Sequence, residues 1–266
     1  MGARRIWLTA GSGGVGTGFC TVNLAIALSR LGQRVLVVDG GVVCRSLDGI
    51  LACAEQVVYD LGDVCAGRIA PHAALLAPPL LEGISLLPGV AEPAAAPGAA
   101  ALHRALDAFG NDFDLILVDA PALPATLPGA GAYALCCVVA APSAAALRGA
   151  EAVGVALRAA GAREVRLLLN RFSLLHPSET GQATALSMVD AVHIPLLGLV
   201  PPVGEDEFLP PPHSMAEYPR LWEKKPHGRD RARLAFLNQA KRLLGEEVPL
   251  LAGMRGLRFY RRKLLY

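Results

Sequence analysis

The sequence predicts an α/β fold in which a doubly wound, mostly parallel β-sheet carries helices on both faces. Short and almost wholly apolar segments recur along the chain, as is typical of strands covered on both faces. Segments rich in Ala and Leu lie between them, and several have apolar residues at helical spacing. A glycine-rich turn follows the first apolar segment, which is the arrangement of a β-loop-α-β unit.

The elements follow in order from the amino terminus. Residues 6–10 (IWLTA) are predicted as the first strand, residues 21–32 as the first helix with Gly32 as its carboxyl cap, and residues 33–41 as the second strand. Further strands are predicted at residues 84–89, 114–122, 134–142, 164–171 and 195–201, which makes about seven in all.

Two proline-rich stretches interrupt this alternation. Residues 90–106 are predicted to begin as a connection and end as a helix, with low-complexity disorder an equal interpretation of the prolines. Residues 208–230 are predicted to be irregular. We expect one domain over residues 1–250, followed by a basic tail over residues 251–266.

Composition limits the class of protein. The chain has 266 residues, of which 53% are hydrophobic, and a net charge of +2, which gives no sign of a nucleic-acid partner. Six cysteines without a CxxC pair indicate free thiols in a reducing compartment. The sequence shows neither a secretory signal nor an apolar run of roughly 18 residues, so we expect a cytoplasmic protein without a membrane-spanning helix.

The glycine-rich turn is GSGGVGTGF, residues 11–19, between the first strand and the first helix. A turn of this kind points backbone N–H groups and a helix N-terminus at the place where a phosphate binds. Glycines also occur at strand-to-helix turns for packing alone. Both interpretations remain open at this stage.

The chain resembles the MinD/ParA family of P-loop ATPases, and the MinD branch in particular, from residue 11 onward. In that family the loop reads K-G-G-x-G-K-[ST]-[ST] and the next strand ends in D-x-D. A segment like R-x-L-D followed by YDLxDV and Gly comes next, and it matches Arg45, Leu47, Asp48, Tyr59, Asp60, Leu61, Asp63, Val64 and Gly67. DLILVDAPA resembles the Walker B strand, with Asp119 at its acidic position, and LLLNR places Asn170 where the family contacts adenine.

The resemblance implies an ATP or ADP site near one end of the sheet. Its residues are Gly13, Gly14, Val15, Gly16, Thr17, Gly18, Phe19, Asp39, Asp119 and Asn170. Asp119 is interpreted equally as a structural cap of its strand or as a residue beside a magnesium ion. Asn170 is interpreted as a base contact, with the end of a strand as the alternative.

The departures from the family pattern all concern its chemistry. Ser12 stands at the signature lysine that reaches across a dimer, and Thr17 stands at the phosphate-loop lysine. Gly18 and Phe19 replace two hydroxyl residues, the first a magnesium ligand, and Gly41 replaces the aspartate that positions the attacking water. No catalytic position is intact.

The missing lysines have a calculable effect. Hydrogen bonds to charged groups contribute roughly 1.5 to 3 kcal/mol each, so two lost contacts cost about 3 to 6 kcal/mol, or on the order of 100-fold to 10,000-fold in affinity. We therefore expect weak binding of ATP or ADP, a magnesium site reduced to Asp119, and loss of hydrolysis.

The last thirteen residues, 254–266, hold five cations and no acid. At helical spacing Met254, Leu257, Tyr260, Leu264 and Leu265 fall on one side, and Arg258, Arg262 and Lys263 fall outside it. This pattern suits an anionic membrane surface, and the resemblance implies a membrane-targeting helix here. Arg261 interrupts the apolar side and Gly256 weakens the helix, and a solvated basic tail is the alternative.

Three functions are compatible with the sequence. The first is a scaffold of the MinD type, peripheral at the inner face of the cell membrane, that positions a division regulator and dimerises, if at all, without nucleotide. The second is an active ATPase in which Arg4, Arg5 or Arg45 replaces the missing charge. The third follows the pilus-localisation branch, the CpaE/TadZ-like proteins, whose loops often carry Thr or Ser in place of the lysine.

Overall fold

The computed structural model describes residues 2–255 apart from 42–46, 93–95, 122–128, 176, 203–221, 223–225 and 229. Its strands are β1 (Arg4–Ala10), β2 (Val35–Asp39), β3 (Ile84–Leu87), β4 (Leu115–Asp119), β5 (Leu135–Ala140), β6 (Val165–Asn170) and β7 (Leu196–Val200). Its α-helices are α1 (Thr17–Arg30), α2 (Leu47–Ile50), α3 (Leu61–Cys65), α4 (Ala99–Asp107), α5 (Ala144–Ala159), α6 (Pro177–Thr180), α7 (Ala185–Val192) and α8 (Arg231–Leu243). Short 3-10 turns span Ala54–Gln56, Pro71–Ala74 and Ala130–Ala132.

The strands form one seven-stranded sheet in the order β3-β2-β4-β1-β5-β6-β7. Every pairing in it is parallel, so the predicted fold class and the predicted strands are confirmed. Strands β2, β3 and β4 lie on one side of β1, and strands β5, β6 and β7 lie on the other side. The carboxyl end of β1 therefore lies at the point where the winding direction changes, which is where open α/β sheets bind ligands.

Helices cover both faces of the sheet. Right-handed crossovers put α1 on one face and α5 on the other, where α5 packs against α7. Helix α1 also packs against α8, and the rings of Phe19 and Phe236 meet edge to face at 5.8 Å. Because α1 lies between the sheet and α8, nine successive residues of it, 20–28, are buried.

Helix boundaries agree with the predictions except at the start of α1. The helix predicted in the second half of residues 90–106 is α4, whereas most of residues 208–230 lie outside the described residues. Helix α1 begins at Thr17 rather than at residue 21, so the end of the glycine-rich stretch forms its first turn. Within the described ranges, no helix combines the length and the apolar character that spanning a membrane requires.

The chain after α8 folds back along that helix. The Asn238 side-chain amide donates hydrogen bonds to the carbonyl oxygens of Leu250, at 3.5 Å, and Ala252, at 3.0 Å. Arg255 N donates to the carbonyl of Gly228, just before α8 begins. The described chain therefore ends near the start of α8, which is at the same edge of the sheet as the glycine-rich loop.

Candidate functional site

The glycine-rich loop is held against α5 by a contact between two glycines. A Cβ added to Gly11 would lie 1.9 Å from the carbonyl carbon of Gly149, and a Cβ on Gly149 would lie 2.6 Å from the Gly11 oxygen. Either side chain would collide with backbone, so packing requires glycine at both positions.

Backbone conformation and packing do not explain every glycine of the loop. Gly14 and Gly16 have φ angles of +76° and +89°, which L-residues rarely adopt. Gly13 has no such angle, and a Cβ placed on it would meet nothing within 4 Å. The absent side chain at Gly13 therefore leaves open space where a ligand can approach the backbone.

The loop presents unused hydrogen-bond donors. Gly13 and Gly14 are exposed, and α1 begins at Thr17 without a side-chain cap on its N-terminus. Considering only the described residues, no backbone N–H from Gly13 to Phe19 donates a hydrogen bond. Free N–H groups at a helix N-terminus suit a phosphate or another anion.

Asn170 at the end of β6 holds this loop in place. Its Nδ2 donates to the carbonyl of Val15 at 2.8 Å, and its Oδ1 accepts from Arg171 N at 3.0 Å. The side chain is 3% exposed, and a Cβ on Gly16 would lie 2.5 Å from Nδ2. This role in the loop was missed at the sequence level. The predicted base contact stays a prediction.

Two buried carboxyl groups lie side by side below the loop. Asp39 and Asp119 end neighbouring strands and are partners in the β2–β4 register. The Thr21 hydroxyl lies 3.2 Å from Asp119 Oδ1 and 3.0 Å from the Thr17 carbonyl oxygen. Burial first, and the charge of Asp39 second, raise the pKa of Asp119 to about 7, whereas the Thr21 hydrogen bond acts in the opposite direction.

Asp39 also organises the chain that follows β2. Its Oδ1 accepts from Gly41 N at 2.9 Å and its Oδ2 accepts from Leu47 N at 3.3 Å. A Cβ added to Gly40 would lie 2.7 Å from the Asp119 carbonyl oxygen, so this turn passes close to β4. Gly41 adds a backbone donor here and no acidic side chain.

The arginines that the sequence offered as substitutes for the lysines are at the wrong end of the sheet. Arg4 and Arg5 begin β1, and the glycine-rich loop follows its last residue, about 20 Å away at 3.3 Å per residue. The guanidinium of Arg4 donates to the Leu243 carbonyl, and Arg5 pairs with Asp107 at 2.5 Å. These two residues therefore do not support the alternative of a rebuilt site, and Arg45 lies outside the described residues.

A cation that the sequence analysis did not consider is Arg171. It follows Asn170, is exposed and has a φ of +59°. Burial raises the pKa of the Cys20 thiol in α1, and the Arg171 charge acts on the same thiol in the opposite direction. Because Asn170 contacts the loop at Val15, the next residue, Arg171, also lies beside the loop, and its place directly after Asn170 is the signal that could have identified it.

Most of the predicted membrane-contacting residues lie outside the described residues: Leu257, Arg258, Tyr260, Arg262, Lys263, Leu264 and Leu265. Met254 is described, and it is 7% exposed within the hydrophobic core. Its side chain is therefore part of the packed domain, and any membrane surface of the tail begins after it.

Known proteins resemble the chain over nearly its full length. It is 30% identical over 251 residues to the septum site-determining protein MinD of Synechocystis, covering 93% of this chain and 92% of the relative. A chain of the MinC:MinD cell division protein complex of Aquifex aeolicus superposes with a TM-score of 0.79 at 26% identity, covering 93% of this chain and 98% of that one. No family model matches the sequence.

A further solved structure, MinD of Pyrococcus horikoshii complexed with Mg-ADP, is 24% identical with a TM-score of 0.72. It covers 91% of this chain and 96% of its own, and at this identity it supports the fold alone.

The parallel sheet, its strand order and the glycine loop between β1 and α1 place the protein in the P-loop class of α/β folds. Septum site-determining proteins form one branch of that class. The chain belongs to the MinD/ParA family, as its identity with the Synechocystis protein over almost the whole length of both shows.

The raised pKa of Asp119 predicts a pH-dependent stability. Because the folded-state pKa of about 7 exceeds the usual unfolded value, Asp119 supports folding at low pH and this contribution is lost as pH rises towards 7. Replacing Asp119 by Asn removes the titration. We expect urea unfolding to show that the free energy of unfolding of Asp119→Asn, relative to that of the wild type, rises by about 1 to 3 kcal/mol between pH 5 and pH 8.

Glu151→Gln is the control, because Glu151 is an exposed acid of α5. Its free energy of unfolding should follow the wild type across this pH range. Parallel pH profiles for Asp119→Asn and the wild type would contradict the assignment of the raised pKa.

Proposed function

We propose that this chain is a MinD-type spatial regulator that acts as a scaffold at the inner face of the cell membrane, with weakened ATP binding and without hydrolysis. The loop keeps the shape and the free N–H groups of a phosphate cradle, yet Ser12 and Thr17 give it no positive charge. Phosphoryl transfer depends on placed positive charge, which this loop does not supply.

The described residues fit a phosphate better than they fit a magnesium ion. The N–H groups around Gly13 and the start of α1 would hold ATP or ADP phosphates. Asp119 is the acid that would hold magnesium beside the cradle, where the ion would supply positive charge against the phosphates. Gly18 has no hydroxyl to offer, and the Thr21 hydroxyl is already within hydrogen-bond distance of Thr17 and Asp119. Binding through the cradle alone gives weak, largely magnesium-independent affinity.

Assembly in this proposal does not depend on nucleotide. In the family, ATP joins two subunits through the lysine whose position Ser12 occupies, and the hydroxyl of serine is too short and uncharged to replace it. A homodimer would therefore form through surfaces outside the loop. By analogy with the MinC:MinD complex, a division-regulator protein is the partner that we propose, and nucleic acid is not expected.

The tail supplies the membrane contact in this proposal. Residues 256–266 continue from Arg255, which lies at the edge of the sheet that carries the glycine loop. Leu257, Tyr260, Leu264 and Leu265 would enter the bilayer surface, while Arg258, Arg262 and Lys263 would meet anionic headgroups. One short segment of this kind binds reversibly, so a dimer or a partner strengthens membrane residence.

Restoring the phosphate-loop lysine tests the nucleotide part of the proposal. Thr17→Lys places an ammonium group on the first residue of α1, where it can reach a bound phosphate. One charge-assisted contact is worth about 1.5 to 3 kcal/mol, so calorimetry should show ATP affinity rising about ten-fold to a hundred-fold. Thr17→Met, which has similar bulk and no charge, should leave the affinity at the wild-type value. Equal ATP affinity in the lysine variant and the wild type would contradict the proposal that the missing lysine weakens ATP binding.

Membrane binding is tested by sedimentation of the full chain with vesicles. At low salt we expect binding to vesicles rich in anionic lipid, little binding to neutral vesicles, and a decrease of at least about ten-fold in Leu257→Asp/Leu264→Asp, since both the apolar contact and the charge balance are damaged. Leu244→Asp changes an exposed leucine of the folded domain and is the matched control. Unchanged vesicle binding in the tail variant would contradict the proposed membrane contact of the tail.

A further inference from the structure

A cleft opens at the edge of the sheet opposite the glycine-rich loop, at the amino ends of the strands. Its volume is about 650 Å³, within the range of small-molecule sites. The walls come from the starts of β1, β5, β6 and β7 and from the chain that follows α8. Its apolar lining includes Leu135, Leu196, Leu197, Leu243 and Leu250.

Three arginines line this cleft: Arg4, Arg166 and Arg242. Arg4 donates to the carbonyl of Leu243, and Arg166 Nε donates to Glu164 Oε1 at 2.7 Å. The terminal guanidinium nitrogens of Arg166 are left for another acceptor, since the described residues give them no hydrogen bond.

Arg242, in the last turn of α8, is the unusual member of this group. It is partly buried, and nothing in the described part of the chain accepts a hydrogen bond from its guanidinium or pairs with it. Burial first, and the neighbouring Arg166 charge second, lower the pKa of Arg242. Two guanidinium groups thus share a partly dehydrated region, where an anion between them would relieve their repulsion and supply acceptors.

The acids of the cleft leave this positive region in place. Glu164 is engaged by Arg166, and Glu246 lies 3.9 Å from Lys241. Glu247 is exposed at the rim. The three acids also balance the three arginines overall, so the cleft favours a ligand with one small anionic group over a highly charged one.

We propose that this cleft binds a small amphipathic anion, with an aliphatic body on the leucines and a single carboxylate or phosphate head between Arg166 and Arg242. The planar fork of each arginine suits either head group. The cleft lies at the opposite edge from the glycine loop, so this ligand binds independently of any nucleotide.

The test is a calorimetric titration of the full chain with four probes. Octanoate and octyl phosphate carry both parts of the ligand and distinguish the two head groups. Octanol has the body alone, and inorganic phosphate has the head alone. We expect octanoate or octyl phosphate to bind with a Kd at least about ten-fold lower than both partial probes, and ATP not to displace it.

Variants separate a binding site from a stabilising role of Arg242 at the carboxyl end of α8. Arg242→Gln should weaken binding of the better probe about ten-fold or more, and Arg242→Lys should retain part of it. Arg166→Gln, at a half-exposed site, should also weaken binding, and it tests the site if Arg242→Gln is unstable. Arg148→Gln, an exposed arginine of α5 that does not line the cleft, should bind as the wild type does.

Three results would overturn the proposal. The first is octanol binding as tightly as octanoate and octyl phosphate. The second is wild-type affinity in folded Arg242→Gln and Arg166→Gln, which would leave Arg242 a stabilising role only. The third is displacement of the probe by ATP, which would place it at the glycine loop.

Discussion

The contact between Gly11 and Gly149 is the constraint on which the carboxyl edge of the sheet depends. It brings the end of β1 against the backbone of α5, at distances that no side chain could occupy. From there the chain has six residues in which to turn into α1, and two of them adopt left-handed conformations to do so. Asn170 then fixes the outer part of the turn from β6. The loop is thus positioned by backbone contacts and one buried amide, none of which requires a bound nucleotide.

In the function that we propose, the shape of the phosphate cradle is separate from its charge. The shape comes from glycines and from the start of a helix, and both are present. The charge in the family comes from lysines, and Ser12 and Thr17 occupy their positions. The neighbouring Asp119 has a pKa near 7 because it is buried beside Asp39. We propose that this edge, without added positive charge, binds a triphosphate weakly, because the ligand brings several negative charges of its own.

The sequence predicted the strands and the loop well because both depend on local patterns. Apolar runs mark buried parallel strands, and the glycines mark the turn. The start of α1 was placed too late because glycine at position 18 is a poor helix former, whereas packing against α8 supports the helix from its first turn. Family resemblance identified the residues of the edge, and the register of β2 and β4 then brought Asp39 and Asp119 together.

Contacts between distant parts of the chain were beyond the sequence. Arg4 and Arg5 lie close to the loop along the chain, but a full strand separates them from it in space. Met254 was predicted to belong to the membrane-contacting tail. In the structure, Asn238 holds the returning chain against α8, and Met254 packs into the core. The cleft around Arg242 combines the starts of four strands with the end of α8, so no local pattern indicates it.

We propose that the loop binds phosphate through backbone groups alone, and a calorimetric titration of the wild-type protein with ATP, with and without magnesium, decides whether it does. We predict a Kd of about a millimolar or weaker, little changed by magnesium and weakened further in Gly13→Ala, since the methyl group enters the open side of the cradle. Micromolar binding that requires magnesium and is lost in Arg171→Gln would contradict binding through backbone groups alone and would identify a rebuilt nucleotide site.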